Sequence, residues 1–251
     1  MKNRSILEQT SHRPIPMPDG PWVMKQGWND LLFAHWPVDD HSLLPYIPPG
    51  LELERWEGRP WISVSPFLLD PLRMRGMPPI PGTRKFLELN VRTYVNCGGK
   101  PGIWFLTLEA SNPLAVAGAR MLARLPYRYA RMQKGHQEGF IHYVSERDRG
   151  HGESPAVWKS RYRAVNPKVY HAEPGTLVHW LTERYCLYSA GSDGELRIGE
   201  IHHLPWPLQE AGLWIEENSL TASFGLVHDP EPALLTYTPR LEVLLWPVRK
   251  I

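Results

Sequence analysis

The stretch Phe86-Leu87-Glu88-Leu89-Asn90-Val91-Arg92-Thr93-Tyr94-Val95 decides the fold. Apolar and polar residues alternate along it with a period of two, the pattern of a β-strand with two unlike faces. Leu87, Leu89 and Val91 fall on one face, and Glu88, Asn90, Arg92 and Tyr94 on the other. Asn96-Cys97-Gly98-Gly99-Lys100-Pro101-Gly102 supplies a turn, and residues 103–110 return as the partner strand of a hairpin. On an open sheet such a polar face meets water. In a closed sheet wide enough for a ligand the same face lines the cavity.

Downstream of the hairpin, Asn112 can cap a helix and Pro113 suits its first position. Residues 114–123 are rich in Ala and Leu, and Pro126 should end or kink the element, so one principal helix is expected at about 113–124. Strand signals then recur over 140–145, 157–165, 177–189, 195–203, 213–216 and 241–246, with Gly191-Ser192-Asp193-Gly194 as a turn. Upstream, residues 38–44 suggest a short helix capped by an aspartate. Residues 51–56 and 61–65 suggest a hairpin through Glu57-Gly58-Arg59-Pro60. Residues 70–82, punctuated by proline and glycine, suggest a loop long enough to act as a functional lid. The expected organisation is an irregular Pro-rich arm over 1–21 and a single domain over 22–251. The class is α+β, mainly antiparallel β.

The 251 residues suffice for a substantial core, and 42% hydrophobic with 22% charged residues argues against disorder. No apolar run approaches the roughly 18 residues of a spanning helix, and no secretory signal opens the chain, so no membrane partner is expected. A net charge of +2 is too balanced to predict nucleic-acid binding. Cys97 and Cys186 form neither a disulfide framework nor a metal knuckle, which suggests a reducing cytoplasm.

No phosphate loop, dinucleotide fingerprint or nucleophile elbow occurs. His202-His203 has the look of a metal signal, but adjacent strand residues point to opposite faces, so neither a metal nor a cofactor is expected. Arg120, Arg124, Arg128, Arg131 and Lys134 recur at helical spacing. They read either as an anion site or as a solvated helix face opposite Leu114, Ala117 and Met121, with Pro126 expected to break the stripe. Glu183, within Thr182-Glu183-Arg184-Tyr185, adds a second glutamate beside an arginine, a candidate acid–base or recognition pair.

Several blocks together are distinctive: Phe33-Ala34-His35-Trp36-Pro37-Val38-Asp39, residues 43–53, residues 86–95, and Leu181-Thr182-Glu183-Arg184-Tyr185-Cys186-Leu187-Tyr188. Through them the chain, from about residue 22 to 247, resembles the YqjF-like family of uncharacterised bacterial proteins, and that family resembles acetoacetate decarboxylase in fold. The resemblance implies a cone-shaped antiparallel barrel, or packed sheets, around a central pocket with helices outside. It places Glu88 where the decarboxylase has its active-site glutamate. It places Tyr127 and Arg128 where the decarboxylase has its Schiff-base lysine and the lysine after it, with a one-residue insertion between Gly118 and Pro126. No register restores a lysine there, and no arginine stands between Trp28 and Trp36 to match the one on the decarboxylase's first strand. An imine requires an unprotonated amine, which neither arginine nor a phenol supplies. Acetoacetate decarboxylation is therefore not expected. Because related decarboxylases form oligomers, a homo-oligomer is compatible with the resemblance.

Three functions remain open. A binding protein would hold a small carbonyl or carboxylate ligand, with Arg128 or Arg120 on the anion, Glu88 on a polar group, and Asn90, Arg92 and Glu183 as further ligand contacts. An enzyme would use Glu88 as general acid or base in tautomerase-, hydratase- or hydrolase-type chemistry, with Tyr127 as a proton donor. A structural or interaction module would keep only a vestigial pocket.

Overall fold

The computed structural model describes residues 3–78, 81–149, 154–191 and 194–251. The strands are β1 (Met24–Pro37), β2 (Glu52–Leu53), β3 (Trp61–Met74), β4 (Phe86–Cys97), β5 (Lys100–Ala110), β6 (Tyr127–Tyr129) and β7 (Arg131–Gln137). They continue with β8 (Phe140–Arg147), β9 (Ala156–Ala164), β10 (Cys186–Ala190), β11 (Leu196–His202), β12 (Gln209–Asn218), β13 (Leu234–Leu245) and β14 (Arg249–Lys250). Helices are α1 (Asn3–Glu8), α2 (Asp40–Leu43), α3 (Pro113–Ala123) and α4 (Leu177–Thr182).

Seven strands close on one another. β1 pairs with β3, β3 with β4, β4 with β5, β5 with β10, β10 with β11, and β11 with β13, which returns to β1. The closing contact is brief: Ile201 opposite Leu245 and His202 opposite Leu244. From β13 the sheet continues through β12, β9 and β8 to β7 and forms a second layer. Pairing is antiparallel except between β5 and β10 and between β5 and β6. One core lies between ring and layer, where Leu89 and Val91 of β4 meet Tyr143 of β8 and Trp158 of β9. Another lies inside the ring, where Phe33, Phe67, Phe86 and Trp206 gather beneath Val116 of α3.

The β4–β5 hairpin and α3 form where the sequence indicates. Gly98 and Gly99 both have positive φ, +57° and +80°, the two-residue turn that suits a twisted hairpin. Asn112 accepts a hydrogen bond from the Ala115 amide at 3.0 Å, and α3 ends at Ala123, three residues before Pro126.

Other expectations are corrected. The N-terminal arm is not wholly irregular, because α1 precedes its prolines and buries Ile6. Asp39 makes no side-chain cap on α2. Residues 51–56 do not form a hairpin with 61–65: β2 pairs with β4, and only a bridge between Trp56 and Arg59 marks the turn. The loop expected over 70–82 begins later, since β3 runs on to Met74 through Pro71; Pro79 and Ile80 lie outside the described residues. Leu177–Thr182 is helix rather than strand, started by Thr176, which accepts from the His179 amide. Ser192 and Asp193 of the expected turn lie outside the described residues. The basic run at helical spacing is not one face: Arg120 lies in α3, Arg124 just after it at φ +53°, Arg128 in β6, and Arg131 and Lys134 in β7. Among the described residues no helix is long and apolar enough to cross a membrane.

The parallel contact of β10 with β5 needs a residue without a side chain at Gly102. A Cβ there would stand 2.6 Å from Tyr188 Cε2 and 2.9 Å from the Cys186 carbonyl oxygen. Gly102→Ala should therefore lower stability by about 1–3 kcal/mol in a urea melt, because the backbone carbonyl cannot move aside as a flexible side chain could. An unchanged midpoint would show that β10 is not held this close to β5.

Candidate functional site

Inside the ring, beneath α3, lies a cavity of about 380 Å³, a size typical of small-molecule sites. Its wall is chiefly apolar and aromatic, with Trp28, Phe33, Phe67, Phe86, Phe105 and Trp206 among its residues. β4 supplies three of the polar side chains, Glu88, Asn90 and Arg92. Because alternate side chains of a strand share a face, Phe86, Glu88, Asn90 and Arg92 all reach the cavity while Leu89 and Val91 pack against the second layer. Glu88, Asn90 and Arg92 are only 4%, 6% and 7% exposed. Ser65, opposite Asn90 on β3, completes this polar strip.

Tyr127 reaches the same space from β6 and donates a hydrogen bond from its hydroxyl to Glu88 Oε2 at 3.0 Å. Burial in apolar surroundings disfavours the carboxylate and pushes Glu88 up to about 8; the Tyr127 hydroxyl opposes this more weakly. Burial, then the neighbouring Glu88, holds Tyr127 well above the usual phenol range. At neutral pH the pair is thus a protonated carboxyl beside a phenol. Behind Glu88, the Tyr143 hydroxyl of β8 donates to the Glu88 carbonyl at 2.7 Å and fixes the strand.

The charges on the wall do not cancel. Arg184 is ion-paired with Glu54. Glu200 is paired with Lys100 at 3.3 Å and Arg249 at 3.4 Å. Glu88 is neutral. Arg92 donates to the Leu181 carbonyl at 3.3 Å and lies 5.0 Å from the Phe33 ring centroid. Among the described residues no carboxylate pairs with it, and its Nε, like Asn90 Oδ1 and Ser65 Oγ, has no hydrogen-bond partner. The nearby His35 cannot neutralise this charge, and burial followed by Arg92 itself keeps the imidazole well below its usual range.

The cavity brings together Glu88, Asn90, Arg92 and Tyr127 and leaves out the remaining sequence candidates. Arg120 donates from Nε to the Tyr127 carbonyl. Arg128 follows Tyr127 on a strand and so faces the other way, with its guanidinium over Phe224. Glu183 ends α4, where its carboxylate accepts from the Trp206 amide at 3.1 Å and from the Tyr185 hydroxyl, a latch between two segments. Tyr94 joins a buried cluster with Ser63 and His35. Sequence reading missed Ser65 and Arg184. The alternation of Trp61-Ile62-Ser63-Val64-Ser65 was the available signal for Ser65, while Arg184 gave none, since its segment read as plain strand. Among the described residues no cluster of three or more His, Cys, Asp or Glu side chains could hold a metal. His202 donates from Nε2 to the Ile6 carbonyl and accepts at Nδ1 from Arg13, and His203 donates from Nδ1 to the Leu204 carbonyl.

The raised Glu88 value sets a pH dependence. Between about 4.5 and 8 the folded chain keeps a proton that the unfolded chain releases, so stability falls as pH rises through this window. Glu88→Gln removes the titration and preserves the acceptor for Tyr127. Relative to the parent, the variant should gain stability from pH 5 to pH 9 by on the order of a few kcal/mol. Parallel stability curves over that range would contradict a protonated Glu88.

Comparison with known proteins places this geometry. A family model described as an uncharacterized conserved protein, DUF2071, matches residues 25–242. The uncharacterized protein YqjF of Bacillus subtilis (strain 168) is 44% identical over 245 residues, covering 98% of this chain and 99% of that one. Among solved structures, acetoacetate decarboxylase from Legionella pneumophila superposes with a TM-score of 0.62 at 13% identity, covering 98% of this chain and 95% of that one. The enduracididine biosynthesis enzyme MppR, complexed with the condensation product of pyruvate and imidazole 4-carboxaldehyde, superposes with a TM-score of 0.63 at 12% identity, covering 94% and 92%. The fold is thus acetoacetate decarboxylase-like, and the chain belongs to the DUF2071 family together with its B. subtilis relative YqjF.

Proposed function

We propose that the cavity inside the ring is a ligand site for a small carbonyl or carboxylate compound, held without covalent attachment. The observation that carries this reading is the uncompensated charge of Arg92 on an otherwise neutralised, apolar wall. A guanidinium out of water is costly unless an anion meets it, and a ligand carboxylate meets it with paired hydrogen bonds. Ser65 and Asn90 offer further polar contacts beside it. A vestigial centre filled by Trp and Tyr side chains would leave no comparable space. MppR, on the same fold, has been solved with pyruvate, a ligand of this class. The two cysteines, both free, suit a reducing cytoplasm.

A second reading, proton-transfer catalysis, is favoured by the Glu88–Tyr127 pair. A carboxyl group that titrates near 8 can give and take a proton at neutral pH, and its neighbour Tyr127 can orient it. Tautomerisation or hydration of a bound carbonyl fits these two groups. Imine chemistry does not, because no lysine is among the described residues that line the cavity.

Two measurements test these readings. In a thermal-shift panel of carboxylates, keto acids and neutral ketones, at least one carboxylate should raise Tm, and Arg92→Gln should abolish that rise while its own Tm stays measurable. A panel without effect on the parent protein would remove the binding reading. In the second, acetoacetate with borohydride should leave the protein mass unchanged; a reduced adduct on a cavity residue would restore the lysine chemistry excluded above.

A further inference from the structure

The cavity's unpartnered polar atoms include Arg92 Nε, Asn90 Oδ1 and Ser65 Oγ, gathered toward one end, while Gln26 and Thr83 also reach its wall. β4 carries Arg92, Asn90, Glu88 and Phe86 on the cavity side at two-residue intervals, about 20 Å of strand from first to last. Arg92 is buried at one end. At the other, Phe86 shares its core with Val116 and Ala115 of α3. That helix turns a run of small side chains to the cavity, Ala115, Gly118 and Ala119, followed by Leu122. They lie at i, i+3, i+4 and i+7, one face of a helix. The rim is apolar where it meets solvent: Leu114 and Leu122 both line the cavity, yet are 63% and 71% exposed. A small polar keto acid would leave this apolar wall and its exposed rim without a partner.

We propose that the preferred ligand is a straight-chain carboxylic acid of medium length, with its carboxylate at Arg92 and its tail running past Glu88 and Tyr127 to leave along the small-residue face of α3. This rests on the cavity being the ligand site. At a liquid volume share of roughly 30 Å³ per water-sized group, a space of about 380 Å³ accommodates on the order of a dozen heavy atoms, an acid of about eight to ten carbons. Ala115, Gly118 and Ala119 carry no bulky side chain, so this face of α3 leaves room for a methylene chain beside the sheet. A carboxylate is preferred over the matching alcohol because Arg92 brings the unbalanced charge. Glu88 then faces a carbon of the chain several bonds from the carboxylate. A carbonyl or hydroxyl there would accept the carboxyl proton that Tyr127 leaves unused.

The experiment is a calorimetric titration of the whole protein with butanoate, hexanoate, octanoate and decanoate, and with octanol, pyruvate and acetoacetate. Affinity should rise about fourfold per methylene from butanoate to octanoate, the increment of burying one CH₂ in an apolar site. Octanol should bind at least tenfold more weakly than octanoate. Gly118→Leu is the routing control. A Cβ at Gly118 meets nothing within 4 Å, and leucine is a good helix former, so the variant should fold. It should weaken octanoate tenfold or more and leave butanoate unchanged. Pyruvate or acetoacetate binding more tightly than octanoate, on a flat chain-length series, would overturn the tail while leaving the cavity as a ligand site. No binding by any acid would overturn both readings. A steep series with octanoate unaffected by Gly118→Leu would overturn the route along α3.

Discussion

β4 is covered on both faces. One face is pressed by the second layer through Leu89 and Val91, and the other is enclosed by the ring. A carboxyl and a guanidinium placed on such a strand respond differently. The carboxyl can shed its charge by keeping a proton, and Glu88 does so, titrating near 8. The guanidinium cannot lose its charge at any ordinary pH. Arg92 therefore remains a cation, softened by the Leu181 carbonyl and the Phe33 ring but unmatched by a carboxylate among the described residues. The chemistry of the cavity follows from this asymmetry.

Much of the surrounding structure holds these two side chains in place. Tyr143 reaches from the second layer to the carbonyls of Glu88 and Phe67 and so ties β3 and β4 together where the ring is lined. Tyr162 of β9 and Tyr237 of β13 converge on Asp30, a left-handed residue at φ +50° in the middle of β1. The last turn of α4 presents the Leu181 carbonyl to Arg92, and Arg184, one turn on, is engaged by Glu54 and stacked on Trp180. Glu183, between them, latches the segment to Trp206, a residue of the cavity wall. Tyr127 stands on the cavity wall as the hydrogen-bond partner of Glu88.

The legible parts of the sequence were those governed by local rules. Alternation in residues 86–95 reported both faces of β4 correctly, and with them Glu88, Asn90 and Arg92. The Asn112-Pro113 start and the paired glycines at 98–99 placed α3 and its preceding hairpin. β1 showed no such signal because residues 31–36 are all buried, so both faces are constrained and alternation disappears. Leu177–Thr182 read as strand because its apolar residues are too few to show a helical period, and the Thr176 cap was the overlooked clue. The arginine run, expected to break at Pro126, breaks earlier. Spacing of three or four means a shared face only if the segment stays helical, and Arg124 leaves the helix before the run is half complete. Arg184 depended on a tertiary contact, the Glu54 carboxylate 130 residues away, and no local pattern encodes that.

The central claim is that a neutral carboxyl and an uncompensated guanidinium share one buried wall. Isotope-edited infrared spectroscopy of the carboxyl stretch, compared between the parent protein and its Glu88→Gln variant, reads the first half directly. The account requires a protonated-carboxyl band assignable to Glu88 at pH 7 that fades with a midpoint near 8. A Glu88 band already ionised at pH 6 would contradict this, since the wall would then carry a buried carboxylate as well as the guanidinium.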